Sequence, residues 1–126
     1  MKMNESKTAP FGLAVVRIAT GAMMLVGHGI PKVAEYSNYS ISFPDPLGIG
    51  HQHSLWLVIL SEVLGSACLI LGVYPRVAAL AGLISMMVAQ VVHGNAPWHE
   101  HELASVYAVL FIAIATCGGG KFMLKE

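Results

Sequence analysis

Charged residues are scarce in this sequence. Only 11% of its 126 residues are charged, whereas a soluble domain is roughly a quarter charged. The seven basic residues are balanced by seven acidic ones and are scattered along the chain, so nothing suggests a nucleic-acid partner. The charges lie at the ends of the chain and between long apolar runs. This distribution is typical of a membrane protein rather than of a soluble core.

Cysteine is also scarce, with only Cys68 and Cys117 in the chain. Both lie within apolar runs and form neither a CxxC pair nor a disulfide framework, so they do not reveal a redox compartment. The sequence lacks a haem-attachment motif and a nucleotide-binding loop as well. No small-residue cleavage site closes the first apolar run, and Arg17 interrupts it. We therefore expect a retained first helix rather than a signal peptide.

Long apolar stretches dominate what is present, and a membrane-spanning helix needs about 20 such residues. Four stretches qualify, at about 11–29, 54–73, 76–93 and 102–119. Only Tyr74 and Pro75 separate the second from the third, which predicts a tight antiparallel pair because proline ends a helix. The first loop is long, from about 30 to 53. We predict an all-α fold: one domain over residues 1–126, a polytopic membrane protein with a bundle of four transmembrane helices.

The distribution of basic residues predicts the orientation, because cytoplasmic loops carry an excess of Lys and Arg. With four spans, both termini and the second loop share a side, and Lys32 is the only basic residue on the other. We expect the inner (plasma) membrane of a bacterium, with both termini cytoplasmic and the first and third loops periplasmic. The basic residues on the cytoplasmic side are Lys2, Lys7, Arg76, Lys121 and Lys125. The histidines all fall at the opposite face: His28, His51, His53, His93, His99 and His101.

Two charged residues, Arg17 and Glu62, lie inside predicted spans. A charge at the membrane centre costs at least about 2.5 kcal/mol, so such residues usually face the bundle and mark function. The two side chains are expected to reach each other if spans one and two are neighbours. Two interpretations stay open: a structural ion pair that locks the bundle, or a ligand or proton site.

Helical spacing extends this polar set toward the histidine face. Residues 17, 21, 24 and 28 share one stripe of span one. Gln90 and His93 share a stripe near the end of span three, and Glu100 and Tyr107 lie two turns apart in span four. These stripes predict a polar funnel that runs inward from the outer face, with Glu62 along it and Arg17 near its floor.

The outer histidines also suggest a metal site. His51 with His53 and His99 with His101 form two HxH pairs, and Glu100 and Glu102 lie close in sequence. Imidazole and carboxylate groups are ligands for zinc or copper. The spacing is weakly specific, so surface imidazoles at a wet interface are the alternative interpretation.

The order of these motifs resembles a known family. An arginine in span one is followed by His28-Gly29-x-x-Lys32, then Glu62-x-x-Gly65, Gly72-x-x-x-Arg76, His93-Gly94 and a glycine-rich finish. Over nearly the whole chain this is similar to the DoxX family of small bacterial membrane proteins, with Lys121–Glu126 in place of the family's usual Ser-Leu-Asp ending. The resemblance implies a four-helix membrane bundle. It also implies a link to redox function, because the family takes its name from a subunit of a thiosulfate:quinone oxidoreductase. The family's polar set would be Arg17, His28, Lys32, Glu62, His93 and Glu102.

Three functions stay open at this point. The favoured one is a redox-associated subunit of an oxidoreductase that binds a quinone or a similar amphipathic ligand and depends on a redox partner protein for electrons. The alternatives are a metal-binding or transport component, with His51, His53, His99 and His101 as ligands, and a structural or assembly subunit of a membrane complex. A homo-oligomer is compatible with all three. The candidate ligand-binding residues are Arg17, His28, Lys32, Glu62, Gln90, His93, Glu102 and Tyr107.

Overall fold

The computed structural model of the protein describes residues 5–126, which form helices joined by short connections. In chain order the helices are α1 (Glu5–Met24), α2 (Ile30–Ala34), α3 (Tyr36–Ser42), α4 (His51–Ile59), α5 (Ser66–Leu71), α6 (Pro75–His93) and α7 (Trp98–Cys117). A first π turn (Leu25–Gly29) joins α1 to α2, and a second π turn (Leu60–Gly65) joins α4 to α5.

Within residues 5–126, four continuous helical segments are long and apolar enough to cross a bilayer. They are span one (Lys7–Ala34), span two (His51–Leu71), span three (Pro75–His93) and span four (Trp98–Cys117). The predicted all-α bundle of four transmembrane helices is therefore confirmed. We call the end that carries the connections 43–50 and 94–97 the histidine end, and the opposite end the terminal end.

The first loop is shorter than predicted, because much of it is helical. Span one continues through α2, and Pro31 lies in the first turn of α2, directly after the first π turn. After a break at Glu35, α3 runs along the histidine end. Only residues 43–50, which hold Pro44 and Pro46, lack regular structure. The prolines in this region indicated a loop, but only those after Ser42 fall outside a helix.

Spans three and four form the most extensive helix pair in the described structure, because small residues allow close approach. A Cβ atom on Gly82 would lie 2.5 Å from the ring of Phe111, so the ring packs directly on the span-three backbone. Likewise, a Cβ atom on Gly21 would lie 2.9 Å from the backbone oxygen of Ser66, where span one contacts α5. The buried core between these helices consists of Met24, Leu69, Ala78, Ala79, Met86, Tyr107, Phe111 and Ile114.

The connection between spans two and three is as tight as its sequence predicted. Gly72 and Tyr74 both adopt positive φ, 73° and 44°, which turns the chain within a few residues. The last residues of the chain fold back on this turn: the Lys125 amide donates to Gly72 O at 3.0 Å, and the Tyr74 amide donates to Lys125 O at 2.7 Å. The C-terminal segment thus closes the terminal end of the bundle.

Candidate functional site

Two π turns face each other near the middle of the bundle, and each carries one residue of the site. The first contains His28, and the second contains Glu62. They touch at Gly29, where a Cβ atom would lie 3.0 Å from Glu62 O. A π turn inserts an extra residue into a helix and redirects the side chains beside it, and such turns are frequent at functional sites.

The Glu62 carboxylate is paired with a lysine from span one. Lys32 Nζ lies 2.8 Å from Glu62 Oε2 and also donates to His28 O at 3.3 Å. The two side chains are only 14% and 5% exposed. Both charges are thus withdrawn from solvent, and each compensates the other in an apolar setting where an unpaired charge would be very costly.

Aromatic rings lie beside this ion pair. The rings of His28 and Tyr107 meet edge to face, with centroids 5.4 Å apart, and Tyr107 stacks on Phe111 at 6.2 Å. Tyr107 is buried in span four. Four polar side chains from spans one, two and four therefore converge: His28, Lys32, Glu62 and Tyr107.

These four side chains line a cavity of about 420 Å³, within the range of small-molecule sites. Most of its remaining wall is apolar and comes from spans two, three and four, with Leu57, Ile84, Val88 and Leu103 among the lining residues. His93 and Glu100 line it as well. The cavity thus has a polar end and an apolar wall.

The connection 43–50 covers the cavity at the histidine end, where Phe43 and Leu47 line it. Asp45 holds this connection in place: its carboxylate accepts from Ser54 Oγ at 2.8 Å and from the amides of Gly50 and Ile49 at 2.8 and 3.0 Å. The hydrogen bond from Ser54, followed by those from the two amides, holds the pKa of Asp45 below its usual value. No pattern in the sequence pointed to Asp45 or Ser54, because their pairing depends on the path of the connection.

Arg17 lies elsewhere, which corrects the expected Arg17–Glu62 pair. Its fully buried guanidinium donates to Leu69 O at 3.1 Å and to the C-terminal carbonyls of Lys121 and Phe122 at 2.7 and 3.1 Å. Leu69 is two helical turns beyond Glu62, about 10 Å along the axis at 1.5 Å per residue. Arg17 therefore holds the C-terminal segment at the terminal end and does not line the cavity.

Two other predicted residues also lie outside the cavity. Gln90 bridges spans three and four: it donates to Ser105 Oγ at 2.7 Å, and its Oε1 lies 2.6 Å from His101 Nδ1. Glu102 is exposed. The polar funnel is therefore shorter than predicted, because Gln90 is used between helices and Arg17 lies too deep.

The proposed metal ligands are not gathered into a site. Within residues 5–126, no three His, Cys, Asp or Glu side chains come close enough to hold an ion. His51 and His101 instead contact Phe43 O and Gln90 through Nδ1, while His53 and His99 are exposed. The two cysteines, Cys68 and Cys117, are both free thiols.

The family model of DoxX matches residues 12–95, which is two thirds of the chain and includes the Lys32–Glu62 pair. The protein belongs to the DoxX family. An uncharacterized protein of Haemophilus influenzae is 31% identical over 131 residues, covering 98% of this chain and 95% of that relative. No solved structure matches this DoxX protein. Family membership and the four spans together make it a multi-pass membrane protein.

Proposed function

We propose that this DoxX protein binds a membrane-borne amphipathic ligand of the quinone class in the cavity, and that it serves as a redox-associated subunit. The observation that carries the proposal is the Lys32–Glu62 ion pair at the polar end of an otherwise apolar cavity. Charged residues within membrane spans are rare and tend to mark ligand and proton sites.

The donors and acceptors of the pair suit a quinone oxygen. An ammonium has three N–H donors, and Lys32 uses two of them, on Glu62 and on His28 O. The third can donate to a quinone carbonyl oxygen. The Glu62 carboxylate can accept a hydrogen bond from the hydroxyl of the reduced quinol. Both forms of the ligand would therefore find a partner at the same place.

The same groups can move protons. Reduction of a quinone to a quinol takes two electrons and two protons, and we assign the electrons to a redox partner protein. Histidine titrates near neutral pH and is a common proton carrier. The His28 ring lies beside Tyr107, and the backbone carbonyl of His28 accepts from Lys32, so we assign proton exchange at the polar end to His28.

Native mass spectrometry of the delipidated protein with decylubiquinone tests this proposal. We expect one bound quinone in the wild type. Because hydrogen bonds to charged groups contribute about 1.5–3 kcal/mol, Glu62→Gln should weaken binding at least about tenfold. Glu102→Gln is the matched control, since Glu102 is exposed and does not line the cavity. No binding by the wild type, or equal binding by Glu62→Gln, would overturn the proposal.

We also propose the bacterial inner membrane, with both termini in the cytoplasm. Arg76, Lys121 and Lys125 support this orientation because they all belong to the terminal end, whereas Lys32 is withdrawn into the cavity. A green fluorescent protein fused after Glu126 folds only in the cytoplasm and should fluoresce. A dark fusion, together with an active alkaline phosphatase fusion at the same place, would reverse the orientation.

A further inference from the structure

One wall of the cavity is also part of the outer surface of the bundle. Leu57 on span two and Ile84 on span three both line the cavity, yet they are 53% and 62% exposed. Both lie well inside spans, where an exposed side chain faces lipid rather than water. A residue that faces both the cavity and the bilayer marks an opening between them.

The opening exists because span two changes partners along its length. Its second π turn packs against α6, while α4, toward the histidine end, packs against α3. The rings of Tyr36 on α3 and Trp56 on α4 are 5.5 Å apart. Because α4 packs on α3 rather than on α6, spans two and three separate beside the cavity.

The side toward the histidine end is covered. Phe43 and Leu47 lie over the cavity, and the Asp45 hydrogen bonds hold their connection down. A molecule arriving from water on this side would meet this connection. A molecule dissolved in the bilayer meets only the apolar side chains at the gap between α4 and α6.

We propose that the ligand enters sideways from the bilayer through this gap and leaves an aliphatic chain lying in it, between Leu57 and Ile84, while its polar head reaches Lys32 and Glu62. The inference rests on the proposed function and deepens it. The site then selects lipids that carry a chain on one side of a small polar ring. A ring without a chain fills only the inner part of the cavity.

Binding of two matched quinones tests the gap. One is decylubiquinone, and the other is its ring with a methyl group in place of the decyl chain, 2,3-dimethoxy-5,6-dimethyl-1,4-benzoquinone. In Ile84→Trp the indole should fill the gap. We expect the affinity for decylubiquinone to fall at least about tenfold, while the affinity for the short quinone stays within about twofold. Val109→Trp is the control, because Val109 is 65% exposed on span four and does not line the cavity.

Leu57→Trp places the indole on the opposite wall of the gap and should reproduce the effect. The second variant keeps the test valid if one of the two misfolds. Retained binding of the short quinone shows that a variant is folded. Undiminished decylubiquinone binding in both gap variants would overturn the lateral gap and leave the proposed function intact. Loss of both quinones in both gap variants, with Val109→Trp unaffected, would overturn it too, because the gap would then belong to the head-group site. If the wild type binds neither quinone, the proposed function itself fails.

Discussion

Lys32 and Arg17, two cations that are withdrawn from solvent, have different partners, and the difference indicates their roles. Lys32 meets a carboxylate beside a cavity. Arg17 meets only backbone carbonyls, including Leu69 O in the last turn of α5. The last four carbonyls of a helix lack partners within it, and the helix dipole favours a cation there. Arg76 does the same for span four by donating to Thr116 O at 2.9 Å. Arg17 is thus a structural cap on span two.

At the residue scale, substitutions in the Lys32–Glu62 pair can distinguish a structural role of the pair from a functional one. Lys32→Met leaves a buried carboxylate without its cation, which typically costs about 3–5 kcal/mol. The double variant Lys32→Met/Glu62→Leu removes both charges, and such replacements are often neutral. We expect unfolding in mixed micelles to show a destabilised single variant and a double variant close to the wild type.

Quinone binding by the same double variant then decides between a binding site and a purely structural pair. We expect it to lose decylubiquinone although its stability is restored. A stable double variant that still binds the quinone would show that the pair only specifies helix packing. A Lys32→Met variant as stable as the wild type would contradict the energetic role of the pair.

At the scale of elements, the two π turns position the site only if they stay in contact. Gly29 provides this contact, since a Cβ atom there would lie 3.0 Å from both Glu62 O and Val63 Cγ2. Gly27 lies in the same turn with nothing within 4 Å of its Cβ position. The pair of glycines therefore offers a matched comparison within one turn.

We expect Gly29→Ala to push the π turns apart and to destabilise the protein by about 1–3 kcal/mol, the usual cost of overpacking. It should also weaken quinone binding, because Glu62 moves with its turn. Gly27→Ala should be neutral or slightly stabilising, since alanine is favoured over glycine in helices by roughly 0.5–1 kcal/mol. Unfolding in mixed micelles and quinone titration measure both. Equal effects of the two substitutions would argue against contact between the turns as the positioning device.

At the scale of the whole molecule, the connection 43–50 lies over the histidine end of the bundle, and we expect its closure to depend on an ionised Asp45. Because its pKa is lowered in the folded protein, ionisation stabilises the closed connection. The stabilisation is fully present above the ordinary Asp pKa of about 3.9 and is lost as the pH falls below it, through the lower folded value.

Hydrogen exchange of the Ile49 and Gly50 amides, which donate to Asp45, measures this closure. After correction for intrinsic rates, protection should be constant above about pH 5 and should fall in acid as the carboxylate is protonated. Asp45→Asn should show lower protection at neutral pH and little change on acidification. Protection that survives acid unchanged would mean that the connection is held by its apolar contacts instead.

Length and hydropathy determined the architecture of this protein. Four apolar stretches of spanning length have no other stable solution in a bilayer, where backbone groups must be satisfied within helices. The turn at Tyr74 and Pro75 followed from local chemistry, because proline ends a helix. Glu62 was also visible as a candidate, because a charge inside an apolar run is costly wherever the helices pack. Lys32 was indicated only by the family resemblance.

Only the tertiary structure decided which charges meet. A stripe of residues on one helix shows which way their side chains point, but not at what depth they lie relative to residues of another helix. Arg17 and Glu62 were therefore expected together, although they lie two turns apart. His28 and Glu62 lie in π turns, so their side chains do not point in the directions that a regular α-helical period predicts. The partners of Arg17 are backbone carbonyls of α5 and of the C-terminal segment, which a side-chain pattern cannot reveal. The cavity itself exists because span two packs on α3 at one end and on α6 at the other, and that choice is made by packing.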